Sequence, residues 1–545
     1  MPDFSFGARS RARLLGALMV TAMGALGSSR ASAQNYFAPG ELLVSASTYA
    51  GTDSTIVIGQ TVLPASGNKA IASGLYGDGS TANFTENDNA DSNFGITSPF
   101  SLIEVNPTTG NEDLTFNVTA TTGMVTSFTS KSEGSLNLSS DGTAVTFMGY
   151  DSTINQLDIS NSNTPGDLNG ATTAAPNTYR AISQINSDGT GSLTDVNDYA
   201  GDNPRAAILA SNGSYYMVGN TGDTSTNANL YTGAQIVTPH GSPTNFANST
   251  SLGSYNITQN GDPADKLPKD NNFRGETIFN NTLYVSKGSG SNGIDTVYQV
   301  GTAGTLPTGT GNTISVLPGF NTKIAKNDDK NTVASDFPHP FGIWFANATT
   351  LYVADEGSGI FTDIAKVGDG KNDADGQEYA GLDKYSLVNG TWVLDYVLNL
   401  GLNIGTSYIV SGTTPGNDSG TYTVESTGGL RDITGKVNGD GTVTVYAITA
   451  TDSTNYDQGA DPNKLVKITD TISYTTASQA SSESFVTLQT AAYGQILRGV
   501  SFTPQIQATD TPTMPVWGLL LLGVLLVFVA TRFLPRQSSR LSVEN

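Results

Sequence analysis

The stretch FGIWFANATTLYVADEG, residues 341–357, decides the fold of this chain, because related phrases recur along the sequence. It consists of an apolar run, a short polar turn and a second apolar run that ends in acid and glycine. Both runs are short and rich in aromatic and β-branched residues, which is typical of strands in a packed sheet. The phrase therefore predicts two neighbouring strands joined by a tight turn.

Copies of this phrase return at a nearly constant interval. They are GSLNLSSDGTAVTFMGY from Gly134, RAAILASNGSYYMVGN from Arg205, RGETIFNNTLYVSKG from Arg274, RDITGKVNGDGTVTVYAITA from Arg431 and RGVSF from Arg498. With the copy at Phe341 included, the starts are separated by 71, 69, 67, 90 and 67 residues. The one long interval contains residues 407–426, which are predicted to form an inserted β-hairpin.

Each interval has room for four short strands, predicted in the clearest unit at residues 341–345, 351–354, 382–387 and 392–398. Four-stranded units repeated around a ring are the signature of a β-propeller. The last unit runs out of chain, and strands between residues 42 and 118 can complete it, which removes an exposed sheet edge. The prediction is an all-β chain with a six-bladed β-propeller over residues 34–503, closed by N- and C-terminal strands. Tandem β-sandwiches are the alternative architecture.

The repeated phrase resembles strands of six-bladed propellers of the NHL and SMP-30/gluconolactonase-like kinds. The segment LYVAD at residues 351–355 and the segment LYVSK at residues 283–287 carry this resemblance. It implies a propeller fold, and it permits a metal-dependent hydrolase or lactonase with its site at the mouth of the channel. The intervals exceed the roughly 40–50 residues of usual blades, so long loops are expected between strands.

Composition limits the classes of function. The 545 residues include 48 acidic and 26 basic side chains, a formal net charge of −22, which disfavours nucleic acid and anionic membrane surfaces as partners. There is no cysteine, so disulfides, thiolate nucleophiles and cysteine-based zinc sites are excluded. Only 14% of the residues are charged and 61 are glycine, a balance typical of an exported β-rich protein.

The N-terminal segment has the three parts of a signal peptide. A basic region with Arg9, Arg11 and Arg13 precedes an apolar run at residues 14–26, and the small residues Ala31, Ser32 and Ala33 follow. This pattern predicts a signal peptide over residues 1–33 and a mature chain that begins at Gln34. A retained membrane anchor is the alternative, although the apolar run is short for one.

The C-terminal segment predicts a membrane helix. Residues 516–530 are uncharged and apolar, and arginines follow at 532, 536 and 540. A transmembrane helix is expected over residues 516–534, with a basic cytoplasmic tail at 535–545 and the preceding domain on the other side of the membrane. Residues 504–515 are expected to be a linker.

This end of the chain also resembles the C-terminal sorting signals that exosortases recognise, in the type that opens with Pro-Thr-Leu and contains a Trp. Pro512, Thr513, Met514 and Trp517 stand in that register, although Met514 replaces the usual leucine and a Pro-Val pair precedes the Trp. The resemblance implies a bacterial envelope protein, cut by a membrane-embedded sorting protease and transferred to the cell surface. A plain single-pass anchor is the alternative.

Arginine placement gives the first candidate site. Between residues 34 and 510 there are five arginines, of which Arg205, Arg274, Arg431 and Arg498 begin repeated units. In a propeller the innermost strand begins each unit, so these four are expected to meet at the channel mouth. The planar guanidinium binds carboxylates and phosphates in two-point contacts. The pattern predicts either a site for an anion, such as a carboxylate, phosphate or acidic sugar, or ion pairs between neighbouring blades.

Acidic residues near strand starts give a second candidate. Glu276, Asp355 and Asp432, with Glu356 beside them, have the oxygen ligands that calcium prefers. The acidic tract at residues 368–378 does not match the spacing of an EF-hand loop, and solvated turns are the simpler interpretation. His339, between two prolines, is a candidate base at the channel mouth or a constrained loop residue. No calcium ion or other cofactor is required by any motif.

The favoured function is non-enzymatic, because no catalytic motif accompanies the export signals. The chain is predicted to be an exported, surface-sorted protein that binds an extracellular polysaccharide or surface proteins, with an adhesion or matrix role. The alternative is a calcium-dependent hydrolase or lactonase. A third hypothesis is a scaffold that contacts partners through residues 407–426.

Overall fold

A computed structural model gives the structure of the protein for most of residues 35–506. The gaps in this description are residues 52–54, 58, 65–66, 71–94, 166–176, 223–231, 240–249, 252–266, 289–291, 310–312, 326–337, 358–378, 414–418, 425 and 453–460. Beyond residue 506 only Val524, Leu526, Phe528 and Arg532 are described, each in helical conformation. The described residues do not include the predicted signal peptide, the acidic tract at residues 368–378 or the sorting motif. They also do not include His240, the other histidine of the chain beside His339.

The described part of the chain is nearly all β, as predicted. The first eight strands are β1 (Leu42–Thr48), β2 (Thr97–Val105), β3 (Glu112–Asn117), β4 (Met124–Ser127), β5 (Asn137–Leu138), β6 (Ala144–Asp151), β7 (Arg180–Asn186) and β8 (Gly191–Val196). The next eight are β9 (Pro204–Leu209), β10 (Tyr215–Gly219), β11 (Gly233–Val237), β12 (Thr250–Ser251), β13 (Glu276–Phe279), β14 (Thr282–Lys287), β15 (Thr296–Val300) and β16 (Ile314–Val316).

The remaining strands are β17 (Pro340–Asn347), β18 (Thr350–Asp355), β19 (Gly381–Val388), β20 (Thr391–Leu398), β21 (Tyr408–Thr413), β22 (Ser419–Val424), β23 (Ser426–Val437), β24 (Thr442–Asp452), β25 (Lys464–Thr471), β26 (Val486–Thr490) and β27 (Gln495–Phe502). Short helices occur at α1 (Val118–Thr122) and α2 (Leu267–Asp270), with a 3-10 turn at Ile159–Asn161. The sequence pattern predicted no helix in these segments.

Four sheets of four antiparallel strands have a propeller-like arrangement. They are β9–β12, β13–β16, β17–β20 and β23–β26, and each follows chain order from one edge to the other. The strands predicted from the phrase at residue 341 are confirmed as β17–β20, which pair in chain order and contain short runs of buried apolar residues. The inserted hairpin is confirmed as well, since β21 pairs with β22 as a separate two-stranded sheet.

A fifth sheet of nine strands contains both ends of the domain. Its order is β27-β1-β2-β4-β6-β7-β8, with β3 paired to β2 and β5 paired to β6. Strands β1 and β27 are antiparallel, with Leu42 opposite Phe502 and Thr48 opposite Gln495. The expected pairing of N- and C-terminal strands is therefore confirmed. Strand β1 therefore has a partner on both sides, since it also pairs with β2, while β27 forms the end of the sheet.

The core lies between successive sheets. One apolar cluster joins β9–β11 to β13–β15 and includes Tyr216 and Tyr298, both fully buried. The next includes Phe345 and joins β14–β15 to β17–β20, and a third includes Tyr352 and Val466 and joins β17–β20 to β23–β25. Burial of these faces, at about 25 cal/mol per Å² of apolar surface, is the main force that holds neighbouring sheets together.

Three unit starts differ from the prediction. Arg205, Arg431 and Arg498 were expected to precede the first strand of their units, but they lie inside strands β9, β23 and β27. Strand β23 starts earlier because Thr427 pairs with Thr451, and Gly429 allows the backbone to pass close to the carbonyl of Asp355. Glycine has no Cβ, and so the sequence pattern gave no apolar signal for this extra length.

Residues from Ile506 onward form a separate compact unit. The predicted membrane helix at residues 516–534 falls mostly outside the described residues. None of the described residues belongs to a helix with the length and apolar character that crossing a bilayer needs.

The closing strand provides a test of the tight packing at β27. A Cβ atom added at Gly499 would lie 2.6 Å from Asp432 Oδ2 and 2.9 Å from the carbonyl oxygen of Gly134, and closer still to the amide of Leu136. We expect Gly499→Ala to lower the free energy of unfolding by about 1–3 kcal/mol, since well-packed cores do not tolerate added atoms. Urea denaturation measures this change.

Gly439→Ala is the matched control, because a Cβ there meets no atom within 4 Å. We expect its unfolding free energy to stay within about 0.5 kcal/mol of the wild type. Equal stability of the two variants would contradict the close approach at β27.

Candidate ligand site at the buried arginine cluster

The four unit-starting arginines are all buried, and three of them bind one segment of the chain. Arg205, Arg274, Arg431 and Arg498, here called the arginine cluster, have 2%, 6%, 3% and 5% of their surface exposed. The segment is residues 127–133, which links β4 to the copy that begins at Gly134, and Arg431 is joined to Lys131 of this segment through Glu356. The structure thus brings together, around this segment, the arginines that the sequence singled out.

Two of the arginines share one hydroxyl. Arg205 Nε and Arg274 Nη1 donate to Ser132 Oγ at 3.1 and 2.8 Å. Arg205 also donates to the side chain of Asn272 and, at 2.8 Å, to the carbonyl of Phe273. Arg274 Nε is buried and has no acceptor among the described residues. Both guanidiniums are therefore held by neutral oxygens.

Arg498 is bound mainly by backbone carbonyls of the same segment. Its Nη2 donates to the carbonyls of Ser127 and Phe128 at 3.1 and 2.8 Å, and its Nη1 donates to the carbonyl of Ser130. Its Nε donates to Ser47 Oγ on β1 at 2.6 Å. These contacts fix the segment to the closing strands, because three backbone carbonyls of the segment accept hydrogen bonds from one guanidinium.

Arg431 is the member that pairs with a carboxylate. Its Nε lies 3.2 Å from Glu356 Oε2, and Lys131 Nζ lies 3.8 Å from Glu356 Oε1. Burial favours the neutral form of Glu356, but the charges of Lys131 and Arg431 outweigh burial and lower its pKa to about 2. Glu356 is thus an ionised buried acid that serves two cations.

Positive charge exceeds negative charge around the segment. Burial lowers the pKa of Lys131 to about 8, Glu356 opposes this shift, and the nearby Arg274, Arg431 and Arg205 add to it. Burial and then the charge of Arg274 lower the pKa of Arg205 to about 9. Such mutual depression is expected when cations crowd in a desolvated space. The lysine side chain keeps 29% of its surface exposed, which makes it the solvent edge of the cluster.

A buried acid completes the segment. Glu133 accepts from the amide of Ser127 at 2.9 Å and from the hydroxyl of Tyr150 at 2.6 Å, and Tyr150 also donates to Asn203. Burial raises the pKa of Glu133, while Arg498 opposes the shift. Lys131, Ser132 and Glu133 were not among the predicted site residues. A signal was present in the sequence, since Lys131 and Glu133 are the only charged residues between 124 and 140.

The three candidate calcium ligands lie in three different sheets. Glu276 is on β13, Asp355 on β18 and Asp432 on β23. Burial raises the pKa of Glu276 well above its usual range, and neither carboxyl oxygen has a hydrogen-bond partner among the described residues. In the part of the chain that the structure describes, no group of three or more His, Asp and Glu side chains is arranged to hold a metal ion.

Asp355 and Asp432 bind backbone amides. Asp432 Oδ2 accepts from Leu136 and Val500 at 3.1 and 2.9 Å, and burial raises its pKa to about 7 despite these bonds. Asp355 accepts from the amides of His339 and Gly357, and burial raises its pKa to about 6. Asp432 therefore holds parts of neighbouring sheets together, whereas Asp355 holds the residues that flank β17 and β18 of its own sheet.

His339 lies at a sheet boundary. Its Nδ1 is 3.0 Å from the carbonyl of Gly288 and 4.0 Å from Asp295, which in turn pairs with Lys287 at 2.5 Å. This geometry fits the interpretation of a constrained loop residue. The sorting residues Pro512, Thr513, Met514 and Trp517 lie outside the described residues.

Comparisons with known proteins give no family. No family model and no curated protein matches the sequence. Among solved structures, an S. cerevisiae complex of a Dbp5 variant with Nup159, Gle1, IP6 and ADP matches at 7% identity and a TM-score of 0.25, over 63% of this chain and 74% of that chain. A polysaccharide lyase of family PL25, an ulvan lyase bound to a GlcA–Rha3S saccharide, matches at 11% identity and a TM-score of 0.21, over 73% of this chain and 69% of that chain. These TM-scores are too low to carry an argument.

The pKa of Glu356 predicts how stability changes with pH. Because its pKa is about 2 in the folded protein and about 4.3 when unfolded, ionised Glu356 stabilises the fold fully above pH 4.3, and this stabilisation is lost as the pH falls toward 2. We expect Glu356→Gln to lower the unfolding free energy at pH 7 by about 3 kcal/mol, since it leaves buried cations unpaired. Urea denaturation at pH 7, 5, 4 and 3 should show this difference shrinking below pH 4.3.

Glu112→Gln removes an exposed carboxylate from β3 and is the matched control. Its difference from the wild type should remain small at every pH. A deficit in Glu356→Gln that stays constant down to pH 3 would contradict the ionised state assigned to this residue.

Proposed function

We propose that this protein is a non-enzymatic binding protein of the bacterial cell surface, and that it captures an anionic ligand at the arginine cluster. One observation carries this proposal. Among the described residues, no carboxylate lies within ion-pair distance of Arg205, Arg274 or Arg498, and their partners are hydroxyls, an amide and carbonyls. Buried cations that have no direct ion pair are costly, and an anion in contact with them would relieve that cost.

The residues suit a small oxyanion. Arg274 has an unused donor at Nε, and Lys131 extends from the cluster to solvent as a charged entry point. Guanidinium and ammonium groups bind carboxylates and phosphates with charge-assisted hydrogen bonds. The chain as a whole has a net charge of −22, so the cluster is a local reversal of sign that would select anions at this place only. An acidic saccharide fits this chemistry in an envelope setting.

A six-bladed propeller is the architecture that we infer for the domain. The nine-stranded sheet divides naturally into β27-β1-β2-β3 and a second group of β4–β8, which with the four regular sheets makes six. Apolar clusters between β1–β3 and β5–β7, between β6–β8 and β9–β11, and between β24–β25 and β27-β1-β2 support a closed ring. The arginine cluster would then lie on the ring axis, with one arginine from each of four units.

Export and surface sorting complete the proposal. The basic, apolar and small-residue segments before Gln34 support removal of residues 1–33. The sorting-type motif at Pro512, Thr513, Met514 and Trp517, followed by an apolar run and arginines, supports processing by a membrane protease and anchoring before that cut. Mass spectrometry of the protein from envelope fractions should give a first residue at Gln34 and a last residue between 512 and 517. Intact termini would contradict this part of the proposal.

Anion binding has a direct test. We expect inorganic phosphate and glucuronate to raise the melting temperature of the wild type more than sodium chloride of equal ionic strength does. Lys131→Met should weaken the affinity for both probes at least about tenfold, because a charge-assisted hydrogen bond is worth about 1.5–3 kcal/mol. Binding should also weaken as the pH rises through about 8, where Lys131 loses its proton and with it the attraction for the anion.

Lys436→Met, an exposed lysine on β23, is the matched control and should bind both probes as the wild type does. Isothermal titration of the three proteins with each probe separates binding from stability. If neither phosphate nor glucuronate binds the wild type above the sodium chloride control, the anion site is wrong.

A further inference from the structure

A buried lysine and a buried aspartate face each other across two neighbouring sheets. Lys384 is on β19 and Asp470 is on β25, the third strands of their sheets. Lys384 Nζ lies 2.7 Å from Asp470 Oδ2, and both side chains are 0% exposed. The two residues are 86 positions apart in sequence, so the contact joins distant parts of the chain.

The surroundings of this pair are aromatic, and both side chains of the pair are fully buried. Tyr352 and Tyr396 donate their hydroxyls to Asp470, the latter to Oδ1 at 2.5 Å. Lys384 Nζ lies 5.8 and 5.1 Å from the centres of these two rings. Burial and then Asp470 raise the pKa of Tyr352, while burial and then the hydrogen bond to Asp470 raise that of Tyr396. Both hydroxyls therefore stay protonated and keep donating to the carboxyl.

A second acid adjoins the aspartate. Glu483 Oε1 accepts from the amide of Thr471 at 3.0 Å, which holds the side chain beside Asp470. Its Oε2 is buried and has no donor among the described residues. Burial, followed by a hydrogen bond and the charge of Asp470, raises the pKa of Glu483 to about 7. Glu483 can therefore carry a proton at neutral pH.

Amide formation needs an amine, a carboxyl and a group that transfers protons. Lys384, Asp470 and Glu483 provide these three groups at one buried position. We propose that Lys384 and Asp470 are joined by an intramolecular isopeptide bond between Nζ and Cγ, and that Glu483 transfers the protons of the reaction. The proposal concerns the framework of the domain and does not depend on the ligand proposed for the arginine cluster.

The reaction balances without any co-reactant. A proton moves from the Lys384 ammonium to the Asp470 carboxylate, which gives a neutral amine and a neutral acid, the pair that a dry interior favours. Nζ then attacks Cγ, and the negative charge develops on Oδ1, which accepts the hydrogen bond of Tyr396, as in an oxyanion hole. Glu483 delivers its proton to the departing hydroxyl of Oδ2 and then takes one from Nζ, so one water leaves, one amide remains and Glu483 ends protonated as it began.

The position of the bond suits a chain that has no cysteine. It would connect the sheet β17–β20 to the sheet β23–β26, and it would enclose the inserted hairpin β21–β22 in a covalent loop. Cross-links that close long loops restrict the unfolded chain, as disulfides do in secreted proteins. A surface protein gains the same restriction here without depending on an oxidising environment.

Peptide mapping of the purified wild-type chain tests the bond. Trypsin should leave residues 372–431 attached to residues 468–498, because acylated Lys384 is no longer cleaved, and the linked product should be one water, about 18 Da, lighter than the sum of its peptides. Separate peptides 372–384, 385–431 and 468–498 in the wild type would overturn the proposal, and would leave the pair as an ordinary buried ion pair.

Variants distinguish the role of Glu483 from a structural one. Glu483→Gln keeps an acceptor for the amide of Thr471 but cannot transfer a proton, and we expect it to fold and to lack the linked peptide. Lys287→Met breaks the other fully buried lysine–aspartate pair, that with Asp295 at 2.5 Å, and should keep the linked peptide. A folded Glu483→Gln protein that is cross-linked as fully as the wild type would contradict the role of Glu483.

Discussion

The antiparallel pairing of β1 with β27 is the constraint on which the rest of this domain depends. It joins residues more than 450 positions apart, since Ser45 Oγ lies beside both Gly134 and Gly499. Asp432 reinforces it, because one carboxyl oxygen receives the amides of Leu136 and Val500 and so binds β23 and β27 to the start of the first repeated unit. Without this pairing both end strands would present open edges, and the first and last sheets would have no common core.

The same closure creates the polar interior. Arg498 reaches from β27 to the backbone of residues 127–130, and Arg205 and Arg274 reach the neighbouring Ser132 from two other sheets. A short segment thus receives donors from strands that lie far apart in sequence. Since each guanidinium remains charged, the segment is held by charge-assisted bonds, which are about twice as strong as neutral ones. Architecture and charge placement are therefore two consequences of one set of contacts.

The strands could be predicted from the sequence because alternation and turn residues are local properties. Strands β17–β20 illustrate this, since their apolar phrases lie within 60 residues of each other. The partners of the arginines could not be predicted in the same way. Ser132 lies 73 and 142 residues from Arg205 and Arg274, and its position between Lys131 and Glu133 does not indicate which arginines it meets. The extra length of β23 was missed because its first residues are small and carry no apolar period.

Buried polar contacts recur at the boundaries between sheets, beside the apolar clusters. They are directional and depend on specific partners, unlike the contacts within those clusters. His339 approaches Gly288 and Asp295 of the preceding sheet, and Lys384 meets Asp470 of the following one. A buried ion pair adds little net stability, because desolvation consumes most of the attraction. Its main effect is on specificity, because a neighbouring sheet that packs in the wrong register leaves one buried charge unpaired, which costs free energy. Conversion of Lys384 and Asp470 to an amide removes both charges, and with them the desolvation cost, while it makes the choice of neighbour permanent. A buried pair that adds little stability in ionic form therefore gains stability from becoming covalent.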